Sequence, residues 1–116
     1  MQTAGDGLRI DTVHLDGLAV VAVEGEIDLA TAPSFGAAID EGLRQVGRVV
    51  LDLAGVTFMD SSGLNVLVAA ASQSATPNTV LIRNAPASVQ RLLSITGLNE
   101  VIPVEDDPSD PHQPAD

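Results

Sequence analysis

The sequence has no cysteine, no tryptophan, no tyrosine and no lysine. Without cysteine there is no disulfide framework, no thiolate metal site and no cysteine nucleophile. Histidine is almost as scarce. His14 and His112 stand far apart in the chain, and His112 lies in a polar stretch. That distribution argues against a histidine metal site and against a Ser–His–Asp triad. Only Phe35 and Phe58 are aromatic, so a core must come from Val, Leu, Ile and Ala, which suits buried strands packed against helices. No apolar run has the length of a membrane span. The opening MQTAGDGLRID lacks the basic start and apolar stretch of a secretory leader. The expectation is a soluble, cytoplasmic protein with no membrane association.

What is present is acid. The net charge is −11, and the five basic residues are all arginine: Arg9, Arg44, Arg48, Arg83 and Arg91. Such a chain repels a phosphate backbone, so direct nucleic-acid binding is not expected. A basic protein is the natural counterpart, although acidity also serves solubility alone.

A chain of 116 residues is enough for one domain. Residues 1–7 read as a flexible N-terminus, 8–104 as the domain, and 105–116 as a disordered tail. The tail, EDDPSDPHQPAD, has three prolines, five acidic residues and one aliphatic side chain, too little apolar surface to offset the entropy of ordering. Within the domain, Leu8–Leu15 and Leu18–Val23 are predicted strands joined by Asp16-Gly17, a tight hairpin turn. A helix is expected from Pro33 to Val46, with Phe35, Ile39, Leu43 and Val46 on one face. Val49–Leu53 follows as a buried strand. The rest is a helix over Ser62–Ser72, a strand over Thr79–Ile82, a helix from Pro86 to Gly97, and a short last strand over Val101–Val104 confined to an edge by Pro103. Helix and strand alternate after the hairpin. This predicts an α/β domain with a mostly parallel sheet of four to five strands, an N-terminal antiparallel hairpin strand and about three helices.

The chemically informative stretch is Val49 to Ala70, VVLDLAGVTFMDSSGLNVLVAA. A strand leads through a short loop into Asp60-Ser61-Ser62-Gly63, which opens a helix. Sites in open α/β sheets gather at the carboxyl ends of strands, which places Ser61 at that edge and at a helix N-terminus. Asp and Ser there also serve as ordinary caps for orphan N–H groups. A phosphate on Ser61 would add about −1.5 to −2 charge. The helix start would favour it, whereas Asp60 and any acidic group on a docked partner would repel it. The flanks are not Gly-x-Ser-x-Gly, and no histidine is placed as a base. No phosphate-binding loop is present either, since there is no lysine. No catalytic, metal or cofactor-binding residue is assigned, and the chain is not expected to be an enzyme. In phosphoryl transfer it would be the acceptor, with ATP, magnesium and base supplied by a kinase.

Three segments resemble the STAS domain, specifically the stand-alone bacterial anti-sigma factor antagonists. They are Val23-Glu24-Gly25-Glu26-Ile27-Asp28 with Thr31-Ala32-Pro33; Leu51-Asp52-Leu53 through Phe58-Met59-Asp60-Ser61-Ser62-Gly63-Leu64; and Pro86 with Val89, Arg91-Leu92-Leu93 and Thr96-Gly97-Leu98. The resemblance implies a STAS-like fold over residues 8 to 104. It implies that Ser61, or less favourably Ser62, is phosphorylated by a cognate anti-sigma factor acting as a serine kinase. Unphosphorylated antagonist would bind that factor and free sigma; phosphorylated antagonist would let go, and a phosphoserine phosphatase would reset it. Asp28, Thr31, Asp60, Ser62, Gly63 and Leu64 would form the docking surface, on a monomer or weak dimer. The sequence departs from the family in two places. The C-terminal helix common in relatives is expected to be missing, its place taken by the acidic tail, and Asn65 stands where glycine is frequent. Two other readings use the same fold: an accessory subunit of a transporter complex that is not phosphorylated, and a nucleotide-binding sensor.

Overall fold

The computed structural model describes residues 2–5, 7–73 and 79–105. Along them run β1 (Gln2–Gly5), β2 (Leu8–Leu15), β3 (Leu18–Ile27), α1 (Ala32–Gln45), β4 (Val49–Met59), α2 (Ser61–Gln73), β5 (Val80–Arg83), α3 (Ala87–Thr96), a 3-10 turn (Leu98–Glu100) and β6 (Val104–Glu105). One sheet takes these six strands in chain order. β1–β2 and β2–β3 pair antiparallel; β3–β4, β4–β5 and β5–β6 pair parallel.

The hairpin forms where Asp16-Gly17 places it. Both residues take positive φ, 32° and 81°, the conformation whose twist suits a two-residue connection. Each later strand is reached by a helical crossover, and the strand order never reverses. Right-handed crossovers progressing in one direction leave their helices on one side of a sheet. Burial follows from this. Ala19, Val21 and Val23 of β3, Val49, Leu51 and Leu53 of β4, and Val80 and Ile82 of β5 are buried together with Phe35, Ile39, Leu67, Val89 and Leu93 of the helices. The residues between them, Leu18, Val20, Ala22 and Leu81, are only half-buried, and Val13 and Leu15 are exposed.

Several boundaries differ from expectation. The N-terminal segment expected to be flexible contributes β1, four residues paired with Leu8–Asp11; its polar QTAG gives no apolar pattern, and backbone pairing alone places it. Among the described residues the sheet therefore holds the five expected strands with β1 added at its edge. β3 runs on from Val23 to Ile27, and β4 from Leu53 to Met59, so the expected loop after Leu53 is strand. Irregular pairing between Ala22 and Glu24 and between Gly25 and Glu26 keeps Val23 and Ile27 inward while Glu24 and Glu26 point out. The last strand is Val104–Glu105, because Gly97 in the left-handed region (φ 80°) leads into the 3-10 turn first. Pro103, which has no N–H to give, accepts from Ile82 N at 2.9 Å. Glu105, placed in the tail by sequence, thus belongs to the sheet. The remaining expectations for the tail, disorder and a missing C-terminal helix, fall on residues 106–116, outside the described residues.

Gly25 is the tightest point of the extended strand. Its φ is +107°, and a Cβ there would run into the carbonyl of Gly7. That carbonyl accepts Glu26 N at 2.8 Å. Gly25→Ala should therefore lower stability by at least about 2 kcal/mol through backbone strain and the clash. Urea unfolding monitored by circular dichroism measures this, and an unchanged midpoint would show that the strand end yields freely.

Candidate functional site

The extensions of β3 and β4 build the site. Ile27 and Met59, their last residues, are register partners, both buried. The chain leaves each strand through an aspartate, Asp28 after Ile27 and Asp60 after Met59, and then turns into a helix. Asp60 N donates to Ile27 O at 3.2 Å, tying the two exits together. Four candidate residues named from sequence, Asp28, Thr31, Asp60 and Ser61, thus meet at the carboxyl edge of the sheet.

Asp60 caps α2. Its Oδ1 accepts Ser62 N at 2.8 Å, and its carbonyl accepts Gly63 N and Leu64 N at 3.1 and 3.2 Å. Of the two residue types that could cap, the aspartate takes the role. Ser61, the first residue of α2, stands exposed at the helix start. Ser62 is half-buried and lines a groove between α1 and α2 with Leu29, Pro33, Gly36, Asn65 and Val66. Access therefore differs between the two serines.

Asp28 and Thr31 close the other turn. Asp28 Oδ1 accepts Ala30 N at 3.0 Å and Thr31 N at 3.1 Å. In return Asp28 N donates to Thr31 Oγ1 at 2.9 Å, and that hydroxyl donates to Glu26 O at 2.8 Å. The Asp28 side chain closes this turn through Oδ1, its carbonyl accepts Ala32 N at 2.8 Å, and the residue is half-buried. Thr31, at 5% exposure, faces inward. Gly63 is also buried, and a Cβ on it would lie 2.8 Å from Ile27 Cγ2 and 2.7 Å from Met59 Cγ. It seats α2 against both strand ends. Leu64 is half-buried against the core. Of these candidates, Ser61 is exposed, Asp28 and Asp60 are half-buried, and Thr31 and Gly63 are buried.

Sequence reasoning missed Leu29, 79% exposed on the turn between β3 and α1, and with it the α1 wall of the groove. The signal was an aliphatic residue in the polar turn Asp28-Leu29-Ala30-Thr31 with no periodic partner. Groups of three or more side chains able to hold a metal ion are absent among the described residues. Glu26, Asp28, Asp40 and Asp60 give this end of the molecule its charge. Arg44 and Arg48 lie at the opposite end, where α1 finishes and β4 begins.

The Thr31 hydroxyl both accepts and donates in a buried turn, so Thr31→Val should cost about 1–3 kcal/mol, because Asp28 N–H and Glu26 C=O lose their partner. Thr31→Ser, which keeps the oxygen, should lose clearly less. Denaturant midpoints of the two variants check this, and equal losses would mean that the methyl group, not the hydrogen bonds, holds the turn.

Residues 9–110 match the family model of the STAS domain. The chain is 35% identical over 104 residues to the anti-sigma F factor antagonist of Paenibacillus polymyxa, covering 85% of this chain and 87% of that protein. A solved anti-sigma factor antagonist from Mycobacterium paratuberculosis superposes with a TM-score of 0.78 at 30% identity over 89% of each chain. The Bacillus cell fate determinant SpoIIAA in its phosphorylated form is alike in fold, with a TM-score of 0.67 at 18% identity over 86% of this chain and 92% of that one. With the family model spanning most of its length and a relative matched at that identity nearly end to end, the chain belongs to the STAS-domain family of anti-sigma factor antagonists.

Proposed function

We propose that the chain is a phosphorylation-controlled switch that binds and does not catalyse. Its unphosphorylated form binds a cognate anti-sigma factor, a serine kinase, and so frees the sigma factor. Phosphorylation on Ser61 ends that binding, and a phosphoserine phosphatase restores it. The cytoplasm, where sigma factors act, is the compartment this role requires. No helix among the described residues is long and apolar enough to cross a membrane.

The observation that carries this reading is the exposure of Ser61 at the start of α2 beside a cap made by Asp60. A kinase can reach the hydroxyl without unfolding the helix. The phosphate would meet the positive end of the helix dipole, which favours it, and the carboxylates of Asp60 and Asp28, which oppose it. These opposed local effects leave the fold standing. A partner docked over the same surface faces a different balance. It would bring basic groups to Asp28 and Asp60 and pack against Leu29. A doubly charged phosphate between those contacts takes volume and water that the interface had excluded. Ser62, turned into the groove, is the poorer acceptor.

Incubation with a cognate anti-sigma kinase and magnesium-ATP, followed by intact-mass measurement, tests the site. Wild type and Ser62→Ala should each gain one phosphoryl group, and Ser61→Ala none. Ser61→Asp should weaken kinase binding about tenfold or more, equivalent to at least about 1.4 kcal/mol, with an unchanged circular dichroism spectrum. Wild type left unmodified by every cognate kinase, or undiminished binding by Ser61→Asp, would defeat the proposal.

A further inference from the structure

Among the described residues the helices all lie on one side of the sheet, and the other side has a patterned surface. The pairings align Val13, Val20, Val50 and Leu81 in one row across β2, β3, β4 and β5. Leu15 and Leu18 extend it toward the hairpin turn. Val13 and Leu15 are 52% and 53% exposed, Val20, Leu18 and Leu81 are half-buried, and Val50 is 9% exposed. The next row on the same face, two residues along, reads Asp11, Ala22, Asp52, Arg83. Here Arg83 Nη2 lies 3.9 Å from Asp52 Oδ2, and Asp11 Oδ2 lies 3.3 Å from Arg9 Nε. An aliphatic band thus adjoins a charged row in which Asp11 and Arg83 carry opposite signs, with Glu105 of β6 beside Arg83.

We infer that this open face binds a second copy of the chain, the two sheets packing face to face about a two-fold axis that runs along the strands between β3 and β4. Such an axis reverses the strand order. Val20 then lies over the other copy's Val50 and Val13 over its Leu81. In the charged row Asp11 lies over Arg83, Arg83 over Asp11, and Ala22 over Asp52. The row of Val13, Val20, Val50 and Leu81 meets itself, Leu18 lies over Arg48, Asp11 and Arg83 meet on both sides of the axis, and no like charges are opposed. This self-complementarity selects a second copy over an unrelated partner, because a two-fold contact must match itself. Aligned packing of two sheet faces is a standard arrangement.

The area sets the strength. Four strands about 4.8 Å apart and four residues at about 3.3 Å rise give about 250 Å² of aliphatic band per copy. Both copies together, with the charged rows, give about 750 Å², below the size of a stable interface and in the range of a weak, transient one. The dimer is therefore concentration-dependent and not obligate. It is also separate from the switch. The band lies toward the amino ends of the parallel strands, and Ser61 lies beyond their carboxyl ends, so dimer and switch stand or fall independently.

Sedimentation velocity on the full chain across a range of concentrations tests the proposal. Wild type and Ser61→Asp should shift alike from monomer toward dimer, and Val13→Glu, at an exposed position, should weaken the association tenfold or more. Asp11→Arg alone and Arg83→Asp alone should each be monomeric, since like charges would then face each other. Mixed together they should form a heterodimer, because in that pair both ends of the charged row again meet a group of opposite sign. A wild type that stays monomeric throughout, or a Val13→Glu variant that associates as wild type does, would overturn the inference. So would two folded charge variants that fail to associate when mixed.

Discussion

The parallel pairing of β3 with β4, carried past the core to Ile27 and Met59, is the constraint on which the rest depends. Each strand needs an exit, and each exit is an aspartate. Because the strand ends are neighbours, Asp28 and Asp60 are neighbours too, joined through the bond from Asp60 N to Ile27 O. Shortening either strand by two residues would separate them and bury the opening of α2 differently. Gly63 completes the arrangement, since only a residue without a side chain lets the first turn of α2 rest on Ile27 and Met59 at contact distance. The site follows from the fold at this one corner, without a separate loop to shape it.

The same carboxylates have two uses. In the isolated domain Asp60 and Asp28 accept backbone N–H groups and so fix the turn geometry. Toward solvent they give an acidic rim around Ser61. A capping serine or asparagine would satisfy the N–H groups equally well, but it would leave that rim without charge. On the proposed reading, aspartate at both exits would serve recognition without being required by folding, and an added phosphate would meet a surface already negative.

Much of the fold was legible because its signals are local. Asp16-Gly17 marks the hairpin, Pro33 and Pro86 mark helix starts, Gly97 marks a helix end, and the spacing of Phe35 and Ile39 marks a buried helix face. The extensions of β3 and β4 were not legible. Glu24-Gly25-Glu26 and Ala54-Gly55 have the composition of loops, and only pairing with each other makes them strand. β1 was hidden for the same reason, since the Gln2–Gly5 segment owes its conformation to β2. At the site, Asp-Ser-Ser-Gly pointed to the helix opening and to both serines, but which serine faces solvent depends on how α2 sits against α1. Likewise nothing local could reveal that Thr31 and Gly63 turn inward, because both face contacts made by distant strands.

On the proposed switch, rigidity explains why one covalent event at such a corner would suffice. The turn from Asp28 to Thr31 is closed by bonds in both directions, and α2 starts on a satisfied cap. A phosphate on Ser61 has no loose element to reorganise. Its effect must be exerted where it is placed, as charge and volume against whatever covers it. For a complex held by ordinary interfacial contacts, a loss of about 3 kcal/mol lowers affinity by roughly two orders of magnitude. A like-charge or desolvation penalty within an interface reaches several kcal/mol, so a single group can supply it. Transmission through the domain is unnecessary, and the apolar sheet face at the far end can keep its own partner whether or not Ser61 is modified.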